Sequence, residues 1–295
     1  MGEDRRVSRL FCFGLGYSAE TLARRLAVKG WSIAGTARDL ANIERLRSQG
    51  HEVVRFAGEA GNAELVAALA GTTHLLHSIP PGPEGDPVLR HYRAEIAGLP
   101  TLDWIGYLST VGVYGNSAGA VVDESAQPHP HSDRTRARVV SESGWLALGE
   151  EIGRPAQVFR LAGIYGPGRS AFDKLRAGKA RRIVKPGQVF NRIHVEDIAS
   201  VLEASIARPR ASAIYNVADD EPAPPEDVVT YAAELLGIEP PPEVPFEEAD
   251  LTPMARSFYG DSRRISNALI KSELGVRLAY PNYRQGLKAL ADAAR

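Results

Sequence analysis

Arg9-Leu10-Phe11-Cys12-Phe13-Gly14-Leu15-Gly16-Tyr17-Ser18-Ala19 is the stretch on which the reading of this chain turns. A short apolar run ends in Gly14-x-Gly16-x-x-Ala19 and passes into a segment, Ser18–Lys29, with helical periodicity that closes at Gly30, a residue suited to a helix C-terminus. The first glycine permits a tight turn, the second lets an anion approach the backbone, and Ala19 lets helix and strand pack closely. The helix N-terminus then offers unpaired N–H groups and a favourable dipole. The predicted ligand is the pyrophosphate of a dinucleotide, held at Gly14, Gly16, Tyr17, Ser18 and Ala19. The competing reading is a tight strand-to-helix turn that binds nothing.

Working outward, short apolar runs alternate with amphipathic segments from Arg9 to Leu161, the pattern of repeated βαβ units. Strands are expected at Leu10–Phe13, Ser32–Ala37, Glu52–Phe56, His74–Ser78, Trp104–Leu108 and Gln157–Leu161. Helices are expected at Ser18–Lys29, Leu40–Arg47 (capped by Asp39), Asn62–Ala70, Val88–Ala97 and Arg134–Glu151. The fold class is therefore α/β, a doubly wound parallel sheet (Rossmann fold) with a small irregular C-terminal substrate lobe. The expected domains are 1–165 for dinucleotide binding and 166–295 for the lobe, with 193–217 returning to the core. Beyond Gly163, helices are expected at Ile193–Ala207, Pro225–Leu236 and Asp261–Leu274 and a strand at Ala213–Val217, while Glu239–Pro245 reads as a proline-rich connector.

The end of the second strand reads Gly35-Thr36-Ala37-Arg38-Asp39, with Arg38 placed 24 residues after Gly14. An acidic residue there would bind a ribose 2′-hydroxyl, whereas an arginine pairs with a 2′-phosphate, so the expected cofactor is NADP in preference to NAD. The alternative leaves Arg38 solvated and gives a 2′-hydroxyl to Asp39. Ser78-Ile79-Pro80-Pro81-Gly82-Pro83 follows the fourth strand, and Ser78 and Pro80 are expected to wall the cofactor's ribose and nicotinamide.

Composition is that of an ordinary globular chain, with 44% hydrophobic residues, 24% charged residues and a net charge of −1, which points away from nucleic acid or a membrane surface as partner. The single cysteine, Cys12, sits in an apolar run and reads as a small hydrophobe in a reducing compartment. No apolar stretch approaches a membrane span, and Met1–Arg6 leads within a few residues into a strand without a signal-peptide apolar region, so the expected location is cytoplasmic. His, Cys and carboxylate residues show no metal-ligand spacing, and no metal is expected. His194 reads as structural, and Asp197 as an anchor for the helix start beside it.

At Tyr107-Leu108-Ser109-Thr110-Val111-Gly112-Val113-Tyr114-Gly115 the sequence resembles the extended short-chain dehydrogenase/reductase family, the nucleotide-sugar epimerase and dehydratase group. Arg160-Leu161-Ala162-Gly163-Ile164-Tyr165-Gly166-Pro167-Gly168, Asn191-Arg192-Ile193-His194-Val195-Glu196-Asp197-Ile198-Ala199 and Ile214-Tyr215-Asn216-Val217-Ala218-Asp219 follow in the family's order. The resemblance implies a Ser or Thr after the fifth strand, here Ser109 with Thr110 close behind, and a Tyr-x-x-x-Lys on the next helix. The Lys lowers the Tyr pKa so that the phenol exchanges a proton while the nicotinamide exchanges hydride. Here the best spacing gives Arg134-x-x-x-Arg138 instead. Arginine stays protonated and cannot replace the phenol, although it can bind an anionic substrate. Tyr114 is a substitute phenol to be weighed, and Arg134, Arg138, Tyr165 and Arg192 are candidate substrate contacts. The family also implies a homodimer through Val88–Ala97 and Arg134–Glu151.

The leading expectation is an NADP-dependent oxidoreductase, epimerase or dehydratase acting on a small polar substrate. The alternative from another class is a dinucleotide-binding sensor or interaction protein that has lost catalysis, and a third is a carrier with an empty pocket.

Overall fold

The computed structural model describes residues 7–294. The N-terminal Met1–Arg6, read above for the absence of a signal sequence, lies outside them. The described chain divides into two compact units. The first holds 7–113, Pro130–Arg160 and Ala199–Tyr215, and the second holds Tyr114–His129, Leu161–Ile198 and 216–294.

The first unit is built on a seven-stranded sheet: β1 (Arg9–Phe13), β2 (Ser32–Ala37), β3 (Glu52–Arg55), β4 (His74–His77), β5 (Trp104–Thr110), β6 (Ala156–Leu161) and β7 (Ala213–Val217). Their order is β7-β6-β5-β4-β1-β2-β3, and β1 pairs in parallel with both β2 and β4. The chain winds outward in both directions from β1 and β4, the doubly wound arrangement expected. Ligands in such sheets bind beyond the carboxyl ends of the strands where the winding reverses, here the ends of β1 and β4. Leu10, Phe11, Cys12 and Phe13 are all fully buried, as in a parallel sheet covered on both faces.

The helices of the first unit are α1 (Tyr17–Val28), α2 (Leu40–Ser48), α3 (Ala63–Ala68), α4 (Pro87–Ala97) and α5 (Asp133–Glu151). Phe11 and Phe13 pack with Val54, Phe56, Leu65, Tyr92, Ile105, Trp145 and Val158 into one core. Asp39 caps α2 as expected, its Oδ1 accepting from the Asn42 N–H at 3.0 Å. Each predicted strand and helix of this unit is present, with ends moved by a residue or two.

The second unit departs more from expectation. Ile193 and His194 are not helical. They belong to a strand, Arg192–His194, paired in parallel with Gly163–Tyr165, so the helix starts at Val195 and the chain re-enters the first unit only from Ala199. Within the proline-rich connector, Glu243–Pro245 pairs with Arg182–Val184, a short edge pairing that tolerates its terminal proline. The helix expected over Asp261–Leu274 shrinks to Ala268–Ser272. Ahead of it, Arg264–Ile265 pairs with Val121–Val122, and the Ser262 carbonyl accepts the N–H groups of Ser117 and Gly119, which holds that backbone extended. A terminal helix not foreseen, Tyr283–Ala293, is capped by Asn282 and buries Tyr283 and Leu287 against Phe172, Val228 and Ala232.

Candidate active site

In the first unit the Gly14 turn has the backbone its sequence implies. Gly14 sits at φ +83°, and a Cβ there would lie 2.7 Å from Ser78 Oγ and 2.9 Å from Ile79 Cγ1. The turn is braced from two strands. Gly14 N–H donates to Thr36 Oγ1 at 2.9 Å, Leu15 N–H to the Thr36 carbonyl at 2.7 Å, and the Ser78 hydroxyl to the Gly14 carbonyl at 2.6 Å. Ser78, expected to contact cofactor, therefore spends its proton on the turn itself, while Pro80 is exposed beyond it.

Gly16 is the N-cap of α1 and supplies no side-chain cap. A Cβ at Gly16 would meet nothing within 4 Å, so the space over the helix end is open. Ser18 is nearly buried with its hydroxyl unbonded within the protein, Tyr17 is half-buried, and Ala19 is 1% exposed against the sheet. An uncapped twelve-residue helix opening on clear space, behind a braced glycine turn, fits a dinucleotide pyrophosphate. Arg38, just past β2, is exposed and has no hydrogen bond or ion pair among the described residues. Asp39 has one carboxylate oxygen committed to capping α2.

The end of β5 carries the other candidates. Ser109 is 5% exposed and donates to Glu142 Oε1 at 2.5 Å, and Glu142 is held by Arg160, whose Nη2 reaches Oε2 at 2.7 Å. Thr110 is the more accessible hydroxyl. Its Oγ1 accepts the Gly112 N–H at 3.1 Å, which leaves its own proton uncommitted. Arg138 lies on the same face of α5 as Glu142, four residues earlier. Its Nη1 donates to the Leu108 carbonyl at 2.7 Å and the Tyr107 hydroxyl at 3.2 Å. Its Nε and Nη2 are uncommitted. Arg134, one turn before it, is exposed. Burial pushes the Tyr107 phenol up to about 12 despite Arg138 beside it, so it is no acid–base group at neutral pH.

Under β4, Asp86 ties three elements together. Its Oδ1 caps α4 through the Val88 and Leu89 N–H groups, and its Oδ2 meets His77 Nε2 at 3.0 Å and Trp145 Nε1 at 2.9 Å. Burial raises its pKa, but His77 and the converging donors outweigh this and hold the carboxyl below the usual carboxylate range.

In the second unit, the Tyr114 phenol is 3% exposed and donates to Asn216 Oδ1 at 2.8 Å. Tyr165 is 8% exposed, with its hydroxyl directed at the Asn282 carbonyl and its pKa raised by burial and by Asp219 and Asp197. Arg192 anchors Nη1 on the carbonyls of Phe190 and Ala223 at 2.8 and 3.0 Å and keeps its other nitrogens uncommitted. Asp197 holds the Ala279 and Tyr280 N–H groups at 2.7 and 3.0 Å, which ties it to a remote segment. Asp219 is 2% exposed with Oδ2 unpartnered, and burial lifts its carboxyl to about 8. His194 is buried, which lowers it to about 4, in keeping with a structural ring.

Glu142, Arg160, Asp86 and Asp219 escaped sequence reasoning. Arg160 carried a signal, a lone charge inside the apolar strand Val158-Phe159-Arg160-Leu161, and Glu142 stood one helical turn past Arg138. Among the described residues no group of three or more His, Cys, Asp or Glu could hold a metal, and no helix is long and apolar enough to cross a membrane.

No family model matches the chain. The UDP-glucuronic acid 4-epimerase of Bacillus cereus, solved in complex with NAD, is 16% identical and superposes with a TM-score of 0.76 over 96% of this chain and 97% of its own. With that likeness the seven-stranded sheet and its winding are a fold this chain shares with that epimerase. Within that fold, the chain belongs to one family with a functionally unknown conserved protein from Silicibacter pomeroyi DSS. That protein is 53% identical, with a TM-score of 0.90 over 97% of this chain and 99% of that one. Protein YeeZ of Escherichia coli (strain K12) is 27% identical over 288 residues, 94% of this chain and 97% of that protein.

Proposed function

We propose that this chain binds NADP(H) at the Gly14 turn and uses it for epimerase/dehydratase-like or reductive chemistry on a small polar, anionic substrate. The observation that carries this reading is the braced, positive-φ Gly14 turn facing the uncapped N-terminus of α1, with open space over Gly16. Gly14, Gly16, Tyr17, Ser18 and Ala19 would hold the pyrophosphate, and Arg38, exposed and unpaired, a 2′-phosphate. A bound nicotinamide would supply hydride exchange with a substrate carbon.

Of the hydroxyls on β5, the accessible Thr110 is assigned to the substrate and the buried Ser109 to support. Tyr114 and Tyr165, buried and directed at internal partners, are left out of the catalytic set. With no phenol in place of Arg134 or Arg138, the protein donates hydrogen bonds from Thr110 and Arg138, and the substrate's proton comes from water. Arg138, and Arg134 beside it, favour a carboxylate or phosphate. A curated relative over 57% of the chain, 29% identical, is a 3-diazoavenalumate denitrifying reductase from Streptomyces, which agrees with reductive chemistry on this scaffold. A cytoplasmic homodimer is part of this reading, the buried lone thiol of Cys12 fitting a reducing compartment.

The test is consumption of NADPH, followed by nicotinamide absorbance, against a panel of carbonyl acids and sugar phosphates. Thr110→Val is expected to lower kcat by about a hundredfold, and Ser109→Ala by less. Undiminished turnover in the Thr110→Val/Ser109→Ala double variant would remove the catalytic assignment. The lack of a phenol favours one competing reading, a dinucleotide sensor, which tight NADPH binding without turnover across the panel would establish instead.

A further inference from the structure

We infer that Glu142 and Arg160 are positioning residues: a buried carboxylate–guanidinium pair that, through Ser109 and the inward face of α5, sets Thr110 and Arg138 for the nicotinamide half of the dinucleotide. This rests on the dinucleotide reading above.

The geometry is that of a clamp on the last turn of β5. Glu142 is 3% exposed and accepts three donors: Ser109 Oγ at 2.5 Å to Oε1, Arg160 Nη2 at 2.7 Å to Oε2, and Arg160 Nε at 3.2 and 3.3 Å to the two oxygens. Arg160, on β6, is itself 3% exposed, so the carboxylate is fixed from one strand while it holds the next. Four residues before Glu142, on the same helix face, Arg138 holds the Leu108 carbonyl at 2.7 Å. Two consecutive residues of β5, Leu108 and Ser109, are thereby tied to one helix.

Successive strand side chains point to opposite faces, so fixing Ser109 against Glu142 fixes the direction in which Thr110 leaves the strand. The same bond sets the rotation of α5 about its axis and with it the free edge of the Arg138 guanidinium. A buried ion pair seldom adds stability over apolar residues of the same volume, whereas it does fix geometry. Its place directly behind Thr110 and Arg138, which both keep uncommitted donors, gives that geometry a use.

The experiment measures binding to the full chain by calorimetry with two probes: NADPH, and 2′,5′-ADP, which carries only the adenosine half and its 2′-phosphate. The variants are Glu142→Gln and the double variant Glu142→Met/Arg160→Met. The second removes both charges and so keeps the fold where the first leaves a buried guanidinium charge without its carboxylate. The expected result is a loss of NADPH affinity of about tenfold, the worth of one hydrogen bond to a charged group, with 2′,5′-ADP affinity unchanged. Arg38→Ala, which acts on the 2′-phosphate common to both, weakens both probes. Equal loss for both probes, or no loss for either, would overturn the inference, because the pair would then be merely structural or idle. Failure of the unaltered chain to bind NADPH overturns the dinucleotide reading and this inference with it.

Discussion

Gly14 and Asp219 show how much rests on single residues. At Gly14 a methyl group would meet Ser78 Oγ at 2.7 Å on a backbone with φ +83°. Gly14→Ala is expected to cost about 1–3 kcal/mol and to abolish NADPH binding, read by urea unfolding and calorimetry. Asp219 is a pH device of the opposite sign to an ordinary ion pair. Its folded carboxyl stays protonated up to about 8 because of burial. In the unfolded chain it ionises near 4, so folding loses stability as pH rises from about 4 to 8. His194, lowered to about 4, makes folding more stable as pH rises from about 4 to 6.5, and its contribution stays constant above that. Between pH 6.5 and 8 only the Asp219 slope remains, and Asp219→Asn is expected to remove about 2 kcal/mol of decline there. A thermal-melt series showing the same slope in the variant and the parent would refute this. At this scale Gly14 and Arg38 were legible because a glycine turn and a strand-end charge act through local backbone. Glu142 and Asp219 were not, because their partners or burial come from residues far along the chain.

Among the elements, α4 is the clearest case of a helix fixed by a distant partner. Asp86 caps its first turn with one oxygen and takes His77 and Trp145, from β4 and α5, with the other. Asp86→Ala removes a cap and strands two buried donors, and is expected to cost about 3–5 kcal/mol in a urea titration. Asp86→Asn, which keeps the cap, should cost less. A loss no larger than that of an exposed cap would mean that the His77 and Trp145 contacts carry no energy. The long elements of the first unit were legible in hydrophobic periodicity alone, down to Ser32–Ala37, which matches residue for residue. Val121–Val122 and Arg264–Ile265 were not, since two-residue strands have no period, and each is a strand only because the other, over a hundred residues away, pairs with it. Arg192–His194 misled for a related reason: an apolar run leading into a true helix reads as helix until its partner Gly163–Tyr165 is known.

For the whole molecule, the doubly wound order β7-β6-β5-β4-β1-β2-β3 brings the β1 turn, the β2 selector and the ends of β4 and β5 to one edge of one sheet. Periodicity and the glycine turn together made that edge legible. Arg134 and Arg138, standing where the resemblance implies a Tyr-x-x-x-Lys, were equally plain. Calorimetric titration with NADPH, NADP, NADH and NAD, repeated on Arg38→Ala, decides whether that edge holds a dinucleotide with a 2′-phosphate. The phosphorylated pair is expected to bind more tightly, and Arg38→Ala to remove the preference, a change of about tenfold or more for one charge-assisted contact. Binding of none of the four, or equal affinities untouched by Arg38→Ala, would contradict it.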